Sequence, residues 1–403
     1  MKKHLLIIGA GVEACEGIKT ARAMGLKLFI ADGNPQAPGF AYADEKIVAS
    51  TYDGDAIIAA LNKLHVKLDG AIAMCADVPL SVAKIAQAFG LPGLSIESAM
   101  WVSDKLLMKQ RLQEMGIPVP RFFSVESASA LVQVAEDLGY PFIVKPVDSR
   151  GARGVQYLED ESQLAAAFEL AKQESPTQRV MAEEYLAGPQ ISTETLIDNG
   201  ECFTLGFADR NYEWLERTKP FLIENGGDSP SALPQEAKAE VIKTVEQAAL
   251  ALGITQGVAK GDMVYTSSGA KVIEIAGRLS GGYFSTTQIP IATGVNFVEQ
   301  AIKLALGFPL KAEDVEVKCH RGVAIRYLDL PAGKIRDLDG ISEAKNIEGL
   351  ELLSIFIQSG SEIKALANHT QRSGFAICSA ETKQQAITRA QDALSRIKVD
   401  YAH

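Results

Sequence analysis

The chain has 403 residues, 47% apolar and 22% charged, with 50 acidic against 40 basic side chains and a net charge of −10. That length predicts two or three domains, and the composition excludes a disordered or collagen-like chain. A net negative chain without a basic stripe argues against nucleic acid as a partner, so an anionic substrate must be met by local basic groups.

The five cysteines, Cys15, Cys75, Cys202, Cys319 and Cys378, are scattered and form no CxxC pair. They read as reduced thiols of a cytoplasmic protein without zinc. The five histidines are equally scattered and suggest no metal cluster. Met1-Lys2-Lys3 and the apolar residues after it imitate a signal peptide. Gly9, Gly11 and Glu13 break that run, and no long apolar stretch follows, so no membrane partner is expected.

Leu5-Leu6-Ile7-Ile8 predicts a strand buried on both faces, and Ala14, Ile18 and Ala21 predict a helix that Gly25 ends. Leu28-Phe29-Ile30 and Ala71-Ile72-Ala73-Met74 predict further strands. Such alternation predicts a parallel α/β domain over residues 1–100. Ser103 predicts the cap of a helix carrying Leu107, Leu112 and Met115, closed by Gly116, and Pro118 and Pro120 mark an extended linker. Phe142-Ile143-Val144 and Val155-Gln156-Tyr157 predict strands on either side of a turn from Asp148 to Arg153. From Val180 to Ala276 strands dominate, except for a helix near Gln235 to Ala251 with Val241, Val245, Ala248 and Leu252 on one face. Residues 101–310 therefore form a second region. Residues 311–403 predict a small α+β cap, with strands around Val323-Ala324-Ile325, Leu352 to Ile357 and Phe375-Ala376-Ile377. Its closing helix starts with a Thr382/Gln385 capping box and carries Ile387, Ala390, Leu394 and Ile397.

Three motifs carry chemistry. Gly9-x-Gly11-x-x-Ala14 with Asp32 suits either a dinucleotide site or a plain tight turn between strand and helix. Lys145 at a strand end, followed by Ser149-Arg150-Gly151-Ala152-Arg153-Gly154, suits phosphates or, as its bland alternative, a glycine-rich hairpin. Glu274 stands in the apolar strand Val272-Ile273-Glu274-Ile275, where an unpartnered carboxylate is costly to bury. Two partners are open to it: a divalent cation shared with Asp262, or an ion pair with Arg278.

Together these pieces resemble the ATP-grasp superfamily, most closely its carboxylate–amine ligases of the L-amino-acid ligase type. The resemblance runs through Asp32-Gly33-Asn34-Pro35, Ser103-Asp104-Lys105, Phe142 to Gly154, Ala182 to Gly188 and Val272 to Gly282. It implies a parallel-sheet domain before the ATP-grasp domain, the nucleotide and metal site in residues 101–310, and the α+β domain last. It also implies that ATP meets Lys105, Lys145, Ser149, Gly151 and Gly154, with Glu183, Glu184, Tyr185 and Leu186 as the adenine hinge. Asp262 and Glu274 would hold Mg²⁺ or Mn²⁺, and Arg278 and Lys145 would be catalytic. The implied partners are small carboxylates and amines, and the assembly allowed for is a homodimer.

Three positions depart from the pattern: Gln190 in place of an acidic ribose contact, Ala276 in place of a metal-binding asparagine, and Lys260 in place of a histidine. The implied reaction forms an acyl phosphate and releases ADP and phosphate. A purine-pathway ligase resembling phosphoribosylglycinamide synthetase is the near alternative. An NAD-dependent oxidoreductase or a non-catalytic nucleotide-binding protein are the alternatives of other classes.

Overall fold

The structure, a computed structural model, describes residues 2–402. The apolar runs near its start become β1 (His4–Ile8), β2 (Lys27–Asp32), β3 (Glu45–Val48) and β4 (Gly70–Ala73), a parallel sheet in the order β3-β2-β1-β4. Leu5 to Ile8 are wholly buried because helices cover both faces of this sheet. Helix α1 (Ala14–Ala23) is the crossover from β1 to β2 and α2 (Gly54–Lys63) the one from β3 to β4, while α3 (Pro79–Phe89) follows the last strand.

Two helices then lead to the central region, α4 (Ile96–Ser103) and α5 (Lys105–Glu114). Asp104, and not Ser103, caps α5, its Oδ1 accepting from the Leu106 and Leu107 amides at 2.9 and 3.0 Å. Ser103 belongs to α4 and donates back to the Ala99 carbonyl at 2.7 Å. The buried face of α5 also differs from the expected one. It carries Leu106, Met108 and Leu112 together with Lys105 and Lys109, and Met115 is half exposed. The helix takes this phase because both ammonium groups find carboxylates below it.

A second sheet is antiparallel and follows the order β5-β8-β6-β7, from β5 (Phe122–Val125), β6 (Phe142–Pro146), β7 (Gln156–Leu158) and β8 (Val180–Glu184). Helices α6 (Ala128–Leu138) and α7 (Leu164–Glu174) pack on one face of it.

The largest sheet draws on β9 (Gln190–Asp198), β10 (Glu201–Asn211), β11 (Gly226–Ser229), β12 (Gly257–Thr266), β13 (Gly269–Ala276) and β14 (Gly322–Tyr327). After these come β15 (Gly333–Asp339), β16 (Leu350–Ile355), β17 (Glu362–Ile363), β18 (Gly374–Ala380) and β19 (Lys398–Tyr401). Its eight-stranded order is β13-β12-β9-β10-β11-β14-β18-β16, so strands from the last ninety or so residues simply extend the central sheet. The remaining strands form a small sheet, β17-β15-β19. The Thr382/Gln385 capping box opens the closing helix as expected, but that helix ends at Ser395 and Ile397 packs beyond it, just before β19.

Candidate active site

A cavity of about 680 Å³ lies where the two antiparallel sheets meet the ends of the parallel one. Its inner wall begins with Lys145, on the central strand β6, beside Glu183 on neighbouring β8. Both side chains are buried, and the Lys145 ammonium donates to Glu183 Oε1. Lys109 reaches Glu183 Oε2 from the other side at 3.0 Å and also donates to the Ile273 carbonyl at 2.9 Å. Burial pulls the Lys109 ammonium down to about 8 against the opposing pull of Glu183. Burial pushes the Glu183 carboxyl up, yet Lys109 and Lys145 outweigh it and hold it below the usual carboxylate range. Glu183, expected at the hinge, therefore serves with its side chain as a shared counter-ion for two lysines.

Lys105 bridges two walls, donating to the Ser149 carbonyl at 2.8 Å and meeting Glu274 Oε1 at 3.2 Å. Glu274 and Asp262 are direct partners across β13 and β12, so both carboxylates leave the sheet on one face. The Glu274–Arg278 ion pair is not formed: Arg278 turns instead toward Asp77, its Nε 3.7 Å from Oδ1. Both oxygens of Asp262 are engaged, Oδ2 by Lys260 two residues back on the same face and Oδ1 by Arg210 at 2.6 Å. Arg210 also donates to Glu224 Oε2, at 2.6 Å from one nitrogen and 3.0 Å from another. Burial pushes the Asp262 carboxyl up, but Arg210 and Lys260 together hold it well below the carboxylate range.

These contacts bear directly on a divalent cation. Glu274 offers a hard oxygen donor that is a quarter exposed to the cavity, and it fits such an ion. Asp262 does not fit without first losing two cationic partners. Among the described residues no cluster of three or more His, Cys, Asp or Glu side chains could hold a metal alone.

Arg278, Asp77, Glu13, Cys75 and the Ser280-Gly281-Gly282 turn line the far end. Burial lowers the Arg278 guanidinium, and Asp77 and Glu274 more than restore it. Behind the turn, wholly buried Glu194 accepts from the Ser280 amide at 2.8 Å and the Ser285 hydroxyl at 2.6 Å, which fixes the loop. The glycine-rich loop closes the top. Asp148 anchors its base by accepting from Ser175 and Thr177 hydroxyls at 2.6 and 2.7 Å. The Gly151 carbonyl at its tip accepts from the His369 amide at 3.0 Å. His369 Nε2 in turn accepts from the Glu224 amide at 3.1 Å, and Arg372 lies 3.6 Å over the Tyr327 ring.

Lys105, Lys145, Ser149, Gly151, Glu183, Glu184, Tyr185, Leu186, Gln190, Asp262, Glu274 and Arg278 all line this cavity. Gly154 does not. It sits behind the loop at φ +72°, where an added Cβ would stand 2.9 Å from Pro146 and Glu174 atoms. Trp214, Arg217 and Arg321 also lie outside the cavity. Arg217 stacks on Trp214 and pairs with Asp329 at 2.6 Å, and Arg321 is exposed. In the first motif the Asp32 oxygens accept from the Ala10 and Asn34 amides at 2.7 and 2.8 Å and so tie the glycine turn itself. Sequence reasoning missed Asp77, Lys109, Arg210, Glu224 and His369. The spacing of Lys109, one helical turn from Lys105, was the signal available, and the charged look of that helix masked it.

Fold and cavity together define an ATP-grasp enzyme. The chain belongs to the ATP-grasp carboxylate–amine ligase family: residues 104–313 match the carbamoyl-phosphate synthase L chain ATP-binding domain, and residues 326–402 match the L-amino acid ligase C-terminal domain 2. An uncharacterized protein of Sinorhizobium fredii is 25% identical, covering 98% of this chain and 83% of its own. An L-arginine-specific L-amino acid ligase of Bacillus subtilis is 25% identical over 68% of this chain and 66% of its own. The crystal structure of an L-amino acid ligase from Bacillus licheniformis superposes with a TM-score of 0.85 and 23% identity, over 100% of this chain and 99% of that one. The chain spans less than half of the carbamoyl phosphate synthase relatives it matches, 47% and 28% of their lengths. Among the described residues no helix is long and apolar enough to cross a membrane.

Proposed function

We propose that this protein is an ATP-dependent ligase that joins an amino acid or other small carboxylate to an amine, by way of an acyl phosphate, with release of ADP and phosphate. The observation that carries the reading is a single cavity lined by Lys105, Lys145, Glu274, Arg278, Asp77 and Glu13, in which Lys105 lies 3.2 Å from Glu274 and Arg278 lies 3.7 Å from Asp77. The lysines suit the phosphates of ATP, with the adenine beside Glu184 to Leu186 and the ribose near Gln190. Glu274 would hold Mg²⁺ or Mn²⁺ jointly with phosphate oxygens, and the ion would screen their charge. The match of residues 326–402 favours an amino-acid ligase over a purine-pathway enzyme, since this segment brings His369, Arg372 and Phe375 to the cavity.

The chain's own groups then divide the work. Arg278 and Lys145 offset the charge that spreads over the transferring phosphoryl oxygens as the substrate carboxylate attacks the γ-phosphorus. Glu13 faces the substrate end with negative charge, which suits an α-ammonium group, while Asp77 is paired with Arg150 and Arg278. The loop from Asp148 to Gly154 covers the site, so that the amine and not water meets the acyl phosphate.

The test is a panel of amino acids and amines assayed for ADP release, with hydroxylamine as a surrogate amine. An ATP-dependent hydroxamate is the expected product. Release of AMP and pyrophosphate by a substrate that turns over would overturn the reading, because it places attack at the α-phosphorus.

A further inference from the structure

Asp262 and Glu274 stand side by side, but their surroundings differ in kind. Glu274 meets one ammonium through one oxygen. Asp262 is gripped on both oxygens, by the Lys260 ammonium and the Arg210 guanidinium, each side chain about one-seventh exposed. Arg210 is itself fixed by Glu224, and Glu224 by the His369 ring and by Arg372, whose guanidinium donates to the Glu224 carbonyl at 3.2 Å. The set joins three cationic side chains, Lys260, Arg210 and Arg372, to two carboxylates, Asp262 and Glu224, and continues outward to the C-terminal segment. A divalent ion entering at Asp262 would have to expel two cations held by a buried carboxylate, and would face their repulsion at close range. The residue directly across from Lys260 is Ala276, which has no donor oxygen on its side chain to help hold such an ion.

The cluster is nonetheless turned to the cavity. Lys260, Arg210 and Asp262 all line it, and the Lys260 ammonium has three protons with one spent on Asp262. We propose that this chain holds a single divalent cation, at Glu274, and that Lys260 and Arg210, fixed in place by Asp262, provide from the protein the positive charge a second cation would bring. Asp262 is then a positioning residue for two cationic side chains and not a metal ligand. This inference rests on the ATP-ligase reading of the same cavity.

Metal stoichiometry decides it. Mn²⁺ binding is followed by electron paramagnetic resonance with the β,γ-imido analogue of ATP, whose own binding is measured by calorimetry in the same samples. One Mn²⁺ per bound nucleotide is expected for the unaltered protein. Glu274→Gln should weaken Mn²⁺ in the ternary complex by more than about tenfold. Asp262→Asn should keep one Mn²⁺ and change its affinity by less than about threefold, while slowing turnover. Two Mn²⁺ per nucleotide in the unaltered protein overturns the proposal, and that measurement stands even if Asp262→Asn fails to fold. A tenfold loss of Mn²⁺ affinity in a folded Asp262→Asn variant overturns it as well. A protein that takes up no nucleotide at all removes the ligase reading and this inference with it.

Discussion

Lys109 lies one helical turn beyond Lys105 and yet does not reach the cavity. Its ammonium is sealed under Glu183, with the Ile273 carbonyl as its only other partner among the described residues. A wholly buried lysine is tolerated only with such partners, and here the pairing has a consequence for a neighbour. Glu183 divides its charge between Lys109 and Lys145, so Lys145 is held without being fully neutralised and can still face a phosphate. Removing Lys109 leaves Lys145 as the sole counter-ion and binds it more tightly to Glu183. Lys109→Met should therefore cost about 1–3 kcal/mol in urea unfolding, the range for a buried acceptor left short of a partner. It should also weaken an ATP analogue several-fold in calorimetry, although the residue touches no ligand. A stability loss with unchanged nucleotide affinity would reduce Lys109 to a plain core residue.

At the scale of elements, what was legible in the sequence were charges out of keeping with their strands. Lys145 at the end of Phe142-Ile143-Val144 and Glu274 inside Val272 to Ile275 stand out because a charge among apolar strand neighbours needs a partner to be buried. Lys109 was hidden by the opposite circumstance, since a lysine on a charged helix looks like solvated surface and the apolar residues of α5 suggest the wrong phase. Arg210 and Glu224 were hidden because their meaning depends on register: β10 must pair with β9, and β9 with β12, before Arg210 comes near Asp262. The contact of the short turn at His369–Gln371 with the glycine-rich loop spans more than two hundred residues, and no local pattern announces it. That contact has a pH signature. Burial, with Arg372 adding to it, lowers the His369 imidazole to about 3, against an unfolded value of about 6.5. Between these values the folded protein binds fewer protons than the unfolded one, so the stability tied to neutral His369 is present above about pH 6.5 and lost as pH falls toward the folded value. The direction agrees with the geometry, since a proton on Nε2 would face the Glu224 amide. Urea midpoints should therefore fall more steeply from pH 6.5 to 4 in the unaltered protein than in His369→Gln, whose amide oxygen can still accept from Glu224. Parallel curves for the two proteins would show that the ring is already protonated, or exposed, in the folded state.

Across the whole molecule the cavity exists because three parts of the chain are pressed together, and the pressing is apolar. One core runs from Leu5, Ile7 and Leu28 of the parallel sheet through Phe297, Ile302 and Leu304 to Leu196 and Val258 of the large sheet. The helix Phe297–Ala305 is the shared layer, buried by the parallel sheet on one side and by β9 and β12 on the other. The fit is tightest at Gly70, the first residue of β4, where an added Cβ would stand 2.5 Å from the Ala305 carbonyl oxygen. That neighbour is helix backbone, so it cannot turn aside as a flexible side chain would. Gly70→Ala should push the parallel sheet away from the helix, at a cost of about 1–3 kcal/mol, the usual range for overpacking. The sheet carries Glu13 and Asp77 at one end of the cavity, whereas the phosphate lysines belong to the other parts of the chain. The displacement should accordingly raise KM for the carboxylate substrate several-fold while leaving ATP-analogue affinity within about twofold. Calorimetric unfolding should stay a single transition at a lower temperature, because a shared core couples the two sides. A separate early transition, or equal losses for both substrates, would mean that the parallel sheet folds and moves as an independent body and that Gly70 does not hold it in register with the rest.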